Sequence, residues 1–186
     1  MEERLIRVGI THGDINGIGY EVILKTFSDI RIADLCTPII YGSSKIAAYH
    51  RKVLEMQPVN ISVINQAEDA GVNRINIINC ADEESKVELG KSTEIAGEAA
   101  FKALEAACND LKRGVIDVLV TAPINKHNIQ NDQFHFPGHT EYLEEVFGVS
   151  GKKALMILMS NNLRVALVTG HLPLSEVVQN ITKEDI

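Results

Sequence analysis

Two short segments of this chain place a histidine directly after a glycine: Phe136-Pro137-Gly138-His139-Thr140-Glu141 and Val168-Thr169-Gly170-His171-Leu172-Pro173-Leu174. Both fall at expected strand-to-helix joints, where the backbone turns sharply and a side chain can stand clear of a sheet. In α/β proteins, ligands and catalytic groups gather at such joints. His139 and Thr140 open a helix, so an imidazole, a hydroxyl and unsatisfied backbone N–H groups converge in a grip suited to a phosphorylated or carboxylated molecule. The plainer reading makes Thr140 a helix cap and His139 a polar turn residue. His171, set between Gly170 and Leu172-Pro173, is placed rigidly enough to ligate a divalent transition metal through a neutral imidazole. A single histidine is not a metal site, and an isolated one is more often hydrogen-bonded structure.

Two further segments sit at the ends of expected strands. Thr121-Ala122-Pro123-Ile124-Asn125-Lys126 delivers Lys126 to a strand's carboxyl end, where it can meet a phosphate or carboxylate; the alternative is an ordinary surface lysine. Gly13-Asp14-Ile15-Asn16-Gly17-Ile18-Gly19 lies between a strand and a helix, where glycines let a backbone approach a ligand closely and a helix N-terminus favours an anion. It lacks the G-x-G-x-x-G spacing of a Rossmann turn, and Tyr41-Gly42-Ser43-Ser44-Lys45 does not satisfy the Walker A pattern. On spacing alone, a glycine-rich tight turn without a ligand is the first reading of each segment, ahead of the functional ones. His12, His50, His127 and His135 are read as structural or surface residues.

The elements that must hold these groups follow from periodicity. Strands are expected over 4–10, 37–41, 61–64 and 74–80, with helices over 20–27 and 43–56, the latter capped by Ser43. Residues 81–90 read as an acidic surface loop. Ala96, Ala99, Ala100, Ala103, Leu104, Ala107 and Leu111 recur at three- and four-residue spacing, which predicts a helix over 92–113 that packs closely through a small face and stops at Gly114. Val115 to Thr121 is a continuous apolar run, the pattern of a central parallel strand buried on both sides. A short helix over 141–147 precedes strands over 153–160 and 163–169, which flank Asn161-Asn162, a pair suited to a two-residue hairpin turn. A last helix is expected over 175–179. The order favours one α/β body with a mixed, mostly parallel sheet. Thr182-Lys183-Glu184-Asp185 has the form of a helix start without its helix, which reads as a truncation.

Composition narrows the partners. A net charge of -7, with no cluster of Lys and Arg, argues against a nucleic-acid surface. The longest apolar stretch, Ala154 to Met159, is far short of the roughly 18 residues of a membrane span, and Met1-Glu2-Glu3-Arg4 running into a short apolar segment leads to the expectation of no export. Cys36, Cys80 and Cys108 are odd in number, widely spaced and set among apolar neighbours, as reduced cytosolic thiols are.

In sequence order, Gly13-Asp14-x-x-Gly17-Ile18-Gly19-x-Glu21, Thr121-Ala122-Pro123-Ile124-Asn125-Lys126, Gly138-His139-Thr140-Glu141 and His171-Leu172-Pro173-Leu174 together resemble the 4-hydroxythreonine-4-phosphate dehydrogenase family. The resemblance implies a three-layer αβα fold like that of the isocitrate and isopropylmalate dehydrogenases, not a Rossmann domain. It implies a cytoplasmic, homodimeric enzyme of vitamin B6 (pyridoxal phosphate) biosynthesis that uses NAD and a divalent metal, zinc, magnesium or cobalt. In that chemistry, 4-phosphooxy-threonine is oxidised at its C3 hydroxyl and then decarboxylated to 3-amino-2-oxopropyl phosphate. His139 and Thr140 match the family's substrate-binding pair and His171 the first of its metal-binding histidines; Lys126 is expected as a further pocket residue. Residues 1–186 correspond to the N-terminal portion of a larger two-domain dehydrogenase, and the fragment alone is expected to be inactive. In place of the family's usual prolines in the first motif stand Ile15-Asn16 and Tyr20. The alternatives are a paralogous threonate or erythronate 4-phosphate dehydrogenase and a non-catalytic phosphate-binding domain.

Overall fold

In a computed structural model of the chain, which describes residues 4–82, 85–132, 134–149 and 153–183, the apolar runs of the first part line up as one parallel sheet. β1 (Arg7–Thr11), β2 (Thr37–Gly42), β3 (Ile61–Ile64), β4 (Ile75–Asn79) and β5 (Val118–Thr121) stand in the order β3-β4-β2-β1-β5. Gly9 lies between Ile39 and Leu119 in this register, and Ile40 between Ile10 and Ile77. All six residues of β2 are buried, as a strand flanked on both edges and both faces must be.

Side chains alternate along β2 and so report what covers each face. Ile40 joins Ile10, Tyr20, Ile23, Ile46 and Ile77, which brings α1 (Gly19–Thr26) and α2 (Ser44–Val53) onto one side. Ile39 and Tyr41 join Ala103, Ala107 and Ile116, which brings α3 (Glu94–Lys112) onto the other. The result is the expected αβα sandwich. The caps follow local chemistry: Ser43 Oγ accepts from Ile46 N–H at 3.4 Å, Thr93 Oγ1 accepts from Ala96 N–H at 3.3 Å, and Gly114 takes φ +70° just beyond α3.

One strand differs from its sequence pattern. Val115 to Thr121 reads as a central strand, yet only Val118–Thr121 is strand, and it lies at the sheet edge with Val118 and Val120 exposed. Its outward face is apolar, which erases the alternation that would have marked an edge.

The chain forms two compact units, Met1–Tyr142 and Leu143–Ile186. A helix, α4 (His139–Phe147), starts in the first and ends in the second. The second carries β6 (Ile157–Ser160) and β7 (Leu163–Ala166), antiparallel as expected, with Asn161 at φ +43° in the turn. The antiparallel part of the expected mixed sheet is this two-stranded hairpin, separate from the five parallel strands. A short helix, α5 (Leu174–Val177), runs into a 3₁₀ turn over Val178–Asn180. Thr182 and Lys183 are not helical, and the rest of the expected helix start lies outside the described residues. Among the described residues no helix is long and apolar enough to cross a membrane.

Candidate active site

At the carboxyl ends of β1 and β5 the chain packs backbone against backbone. Asp14 N–H donates to the Pro123 carbonyl at 2.9 Å, and Gly13 beside it takes φ +70°, where a Cβ would overlap that same oxygen. The turn then closes on itself: Asp14 Oδ1 accepts from Asn16 N–H at 2.9 Å and the Asp14 carbonyl from Gly17 N–H at 3.0 Å. Burial holds the Asp14 carboxyl above its usual range. The glycines of this segment are thus needed to join β1 to the β5 end.

Asn16, also buried, ties the turn to the loop before α3. Its Nδ2 donates to the Lys91 carbonyl and to Thr93 Oγ1, both at 2.9 Å, and its Oδ1 accepts from Glu88 N–H at 2.7 Å. Replacing it with alanine is expected to cost about 2 kcal/mol, because two backbone groups and a threonine hydroxyl lose their partner at once. Urea denaturation of Asn16→Ala checks this, and a loss below about 0.5 kcal/mol would show that water replaces the amide freely.

The other two candidates come together at the far end of the β5 loop. Asn125 Oδ1 accepts from His127 N–H at 3.0 Å and the Asn125 carbonyl from Ile129 N–H at 3.2 Å, a compact turn anchored by the fully buried Ile129. This leaves Lys126 exposed and reaching toward the start of α4. Lys126 Cε and Nζ lie 3.5 and 3.8 Å from the point where a Gly138 side chain would begin, and Glu141 Oε2 lies 3.5 Å from it on the same helix. The start of α4 is itself fixed by aromatic packing. Tyr142 and Phe134 have ring centroids 5.4 Å apart, and Phe101 of α3 meets them at 6.0 and 5.8 Å.

His139 is half-buried there, and its Nε2 is buried without a hydrogen-bond partner among the described residues. Burial first, and then the Lys126 charge, hold its pKa below the ordinary histidine value, so the ring is neutral at pH 7. A neutral imidazole beside a lysine ammonium at a helix start can take an anionic oxygen without itself carrying charge. Thr140 is exposed in the first turn of the helix. It is not the cap, since the Gly138 carbonyl already accepts from Tyr142 N–H at 3.3 Å.

His171 lies in the second unit, exposed, with φ +57°. The left-handed residue is thus the histidine and not Gly170, and a non-glycine residue held there is uncommon. Stable divalent-metal sites take about three protein ligands, and among the described residues no group of three His, Cys, Asp or Glu side chains comes together. The donors present do not complete a metal site.

His12 and His50 were expected to be structural or surface residues; both are buried, His12 completely. The signal for His50 was its spacing from Ile46 and Ala47, which puts it on the inner face of α2. Burial brings the His12 pKa down to about 4 from the ordinary 6.5. The unfolded chain therefore binds a proton that the folded one refuses between those values. Stability from this residue is complete above pH 6.5 and is lost as pH falls toward about 4, by about 3 kcal/mol in all. Denaturant titrations across this range should show that slope, flattened in His12→Asn.

A sequence model of the family described as "Pyridoxal phosphate biosynthetic protein PdxA" matches residues 34–186. A 4-hydroxythreonine-4-phosphate dehydrogenase of Bacteroides thetaiotaomicron is 61% identical over 99% of this chain and 50% of its own. A putative D-threonate 4-phosphate dehydrogenase of Oceanobacillus iheyensis is 31% identical over 96% of this chain and 54% of its own. The crystal structure of a 4-hydroxythreonine-4-phosphate dehydrogenase from Burkholderia phymatum superposes with a TM-score of 0.86 at 28% identity, over 98% of this chain and 55% of that one. The chain spans about half the length of the curated relatives it matches. On the extent of these matches and the shared fold, the chain belongs to the pyridoxal phosphate biosynthetic protein PdxA family.

Proposed function

We propose that this chain supplies the substrate-gripping part of an NAD-dependent 4-hydroxythreonine-4-phosphate dehydrogenase, a cytoplasmic homodimer in pyridoxal phosphate biosynthesis. The observation that carries the reading is the pairing of Lys126 with a neutral His139 whose Nε2 has no partner among the described residues. In the reaction, the C3 hydroxyl of 4-phosphooxy-threonine loses a proton and its carbon gives a hydride to NAD. The resulting β-keto acid releases carbon dioxide to leave 3-amino-2-oxopropyl phosphate. His139 and Thr140 hold and orient the substrate, and Lys126 balances its negative charge. His171 would serve as one ligand of a divalent metal, the other donors coming from outside the described residues.

The relatives named for D-threonate 4-phosphate support a second reading, since that substrate differs in bearing a hydroxyl where the first has an amine. The test is to assay the 186-residue chain and a protein of the relatives' full length with NAD, a divalent metal and each substrate. NADH formation by the longer protein alone, faster with 4-phosphooxy-threonine, is the expected result. Preference for D-threonate 4-phosphate would overturn the substrate, and turnover by the 186-residue chain would overturn its dependence on further chain. Calorimetric binding of a substrate without any NADH would favour a phosphate-binding domain.

A further inference from the structure

Gly138, buried just before α4, is not demanded by the backbone. Its φ is outside the left-handed region, and the three nearest atoms that a Cβ would meet are all side-chain ends at ordinary contact distance. They are Glu141 Oε2 at 3.5 Å, Lys126 Cε at 3.5 Å and Lys126 Nζ at 3.8 Å. The contrast is with Gly13 and Gly97, where a Cβ would overlap a backbone carbonyl oxygen. Nor does the residue before a helix favour glycine over serine, aspartate or asparagine, whose side chains bond the first turn. What glycine leaves here is room for about one methyl group, bordered by an ammonium and a carboxylate, next to His139.

The two charges make no ion pair with each other, and Glu141 makes no hydrogen bond through its side chain among the described residues. As the third residue of α4 it stands where a carboxylate commonly reaches back to the N–H of the residue before the helix. Its Oε2 does lie near Gly138, but that bond is not made. An acidic residue in a first helical turn is favoured by the helix dipole alone. The dipole accounts for the residue and leaves the room beside it unexplained.

Resting on the reading of Lys126 and His139 as the substrate grip, we propose that Glu141 receives the ammonium of the substrate in the room that Gly138 keeps open, and so selects an amino acid phosphate over a hydroxy acid phosphate. An α-amino acid carries its ammonium and its carboxylate on one carbon. A cation and an anion that border one methyl-sized space present the complementary pair. Lys126 and the neutral His139 take an anionic oxygen, and Glu141 takes an N–H of the amine. Of the two substrates considered above, 4-phosphooxy-threonine carries that ammonium and D-threonate 4-phosphate carries a hydroxyl in its place. The hydroxyl can donate to the same carboxylate, but a hydrogen bond with charge on both partners is the stronger one. The preference therefore runs toward the amine.

The test is Glu141→Gln in a protein of the relatives' full length, a change that keeps the side chain's length and removes its charge. The ratio of kcat/KM for 4-phosphooxy-threonine to that for D-threonate 4-phosphate is expected to fall about tenfold, chiefly through KM for the amine. A ratio within about twofold of the wild type overturns the assignment even if both values drop, because a merely structural Glu141 affects both substrates alike. Gly138→Ala tests the room itself: its melting temperature should hold, while kcat/KM falls about tenfold or more for both substrates. Unchanged kinetics in Gly138→Ala would overturn the proposal. Calorimetric titration of both ligands into the wild type and Glu141→Gln reads the same preference without turnover. If neither ligand is oxidised but the amine binds more tightly in the wild type alone, the proposed reaction fails and the role of Glu141 holds. If both proteins prefer the amine equally, Glu141 fails and the reaction holds. Wild-type preference for D-threonate 4-phosphate, or binding of neither ligand, overturns both.

Discussion

Replacing His139 with alanine in a protein of the relatives' full length is expected to lower kcat/KM by roughly a hundredfold. The ring sits at the start of α4 with Nε2 buried and unpartnered among the described residues, and in the reaction proposed above an oxygen of the substrate would take that bond. A hydrogen bond to a charged group is worth about 1.5–3 kcal/mol, and each 1.4 kcal/mol is a factor of ten. Lys126→Met separates the cation from the imidazole. Without the ammonium, the His139 pKa rises toward the ordinary value, because only burial still holds it down. If the neutral ring is the working form, the acid limb of the kcat/KM profile then moves to higher pH, along with a weaker KM for a phosphorylated substrate. A His139→Ala enzyme within threefold of the wild type would remove His139 from the site, and a Lys126→Met profile with an unmoved acid limb would mean that the lysine acts on the substrate alone.

The sequence pattern was readable where local chemistry and packing agree. Ser43 before an amphipathic run gave the start of α2, and the alanine face of α3 gave a helix that packs closely on the sheet. The Asn161-Asn162 hairpin was legible because a two-residue turn needs residues that tolerate positive φ, and Asn161 adopts it. What was not legible depends on contacts between residues far apart in the chain. The β5 pattern looked central because hydrophobicity says that a face is covered without saying by what. His12 and His50 are 38 positions apart and each stacks on Tyr20 of α1, so their shared partner was not readable, although the spacing of His50 from Ile46 and Ala47 did mark its buried face. The glycine turn was readable either as a ligand loop or as a tight turn without one, and the Pro123 carbonyl packed against Gly13 and Asp14 gives the glycines a structural reason that only the distant β5 end supplies. Of the site, His139 and Lys126 could be named from their segments, but their proximity needed the aromatic packing of Phe101, Phe134 and Tyr142.

Gly97→Ala should destabilise the chain by about 2 kcal/mol, against the usual gain from putting alanine in a helix. Two effects compete at this position. Alanine in a helix interior is favoured over glycine by about 1 kcal/mol. Opposing it, a Cβ on Gly97 would overlap the Asn128 carbonyl oxygen and come within 2.9 Å of Ile129 N, so backbone must move away from backbone. Overpacking of a fitted contact costs about 1–3 kcal/mol, and here neither partner is a flexible side-chain end, which puts the cost at or above the top of that range. At about 2–4 °C per kcal/mol for a chain of this size, the melting temperature falls by about 4–8 °C. The consequence reaches the candidate site because Asn128 and Ile129 anchor the turn that carries Lys126. A displaced turn takes the ammonium away from Gly138 and His139, so the variant should also weaken substrate binding in the longer protein more than its lost stability alone explains. A melting temperature unchanged or raised in Gly97→Ala would mean that α3 does not touch the Asn125–Ile129 turn, and the placement of Lys126 beside His139 would lose its support.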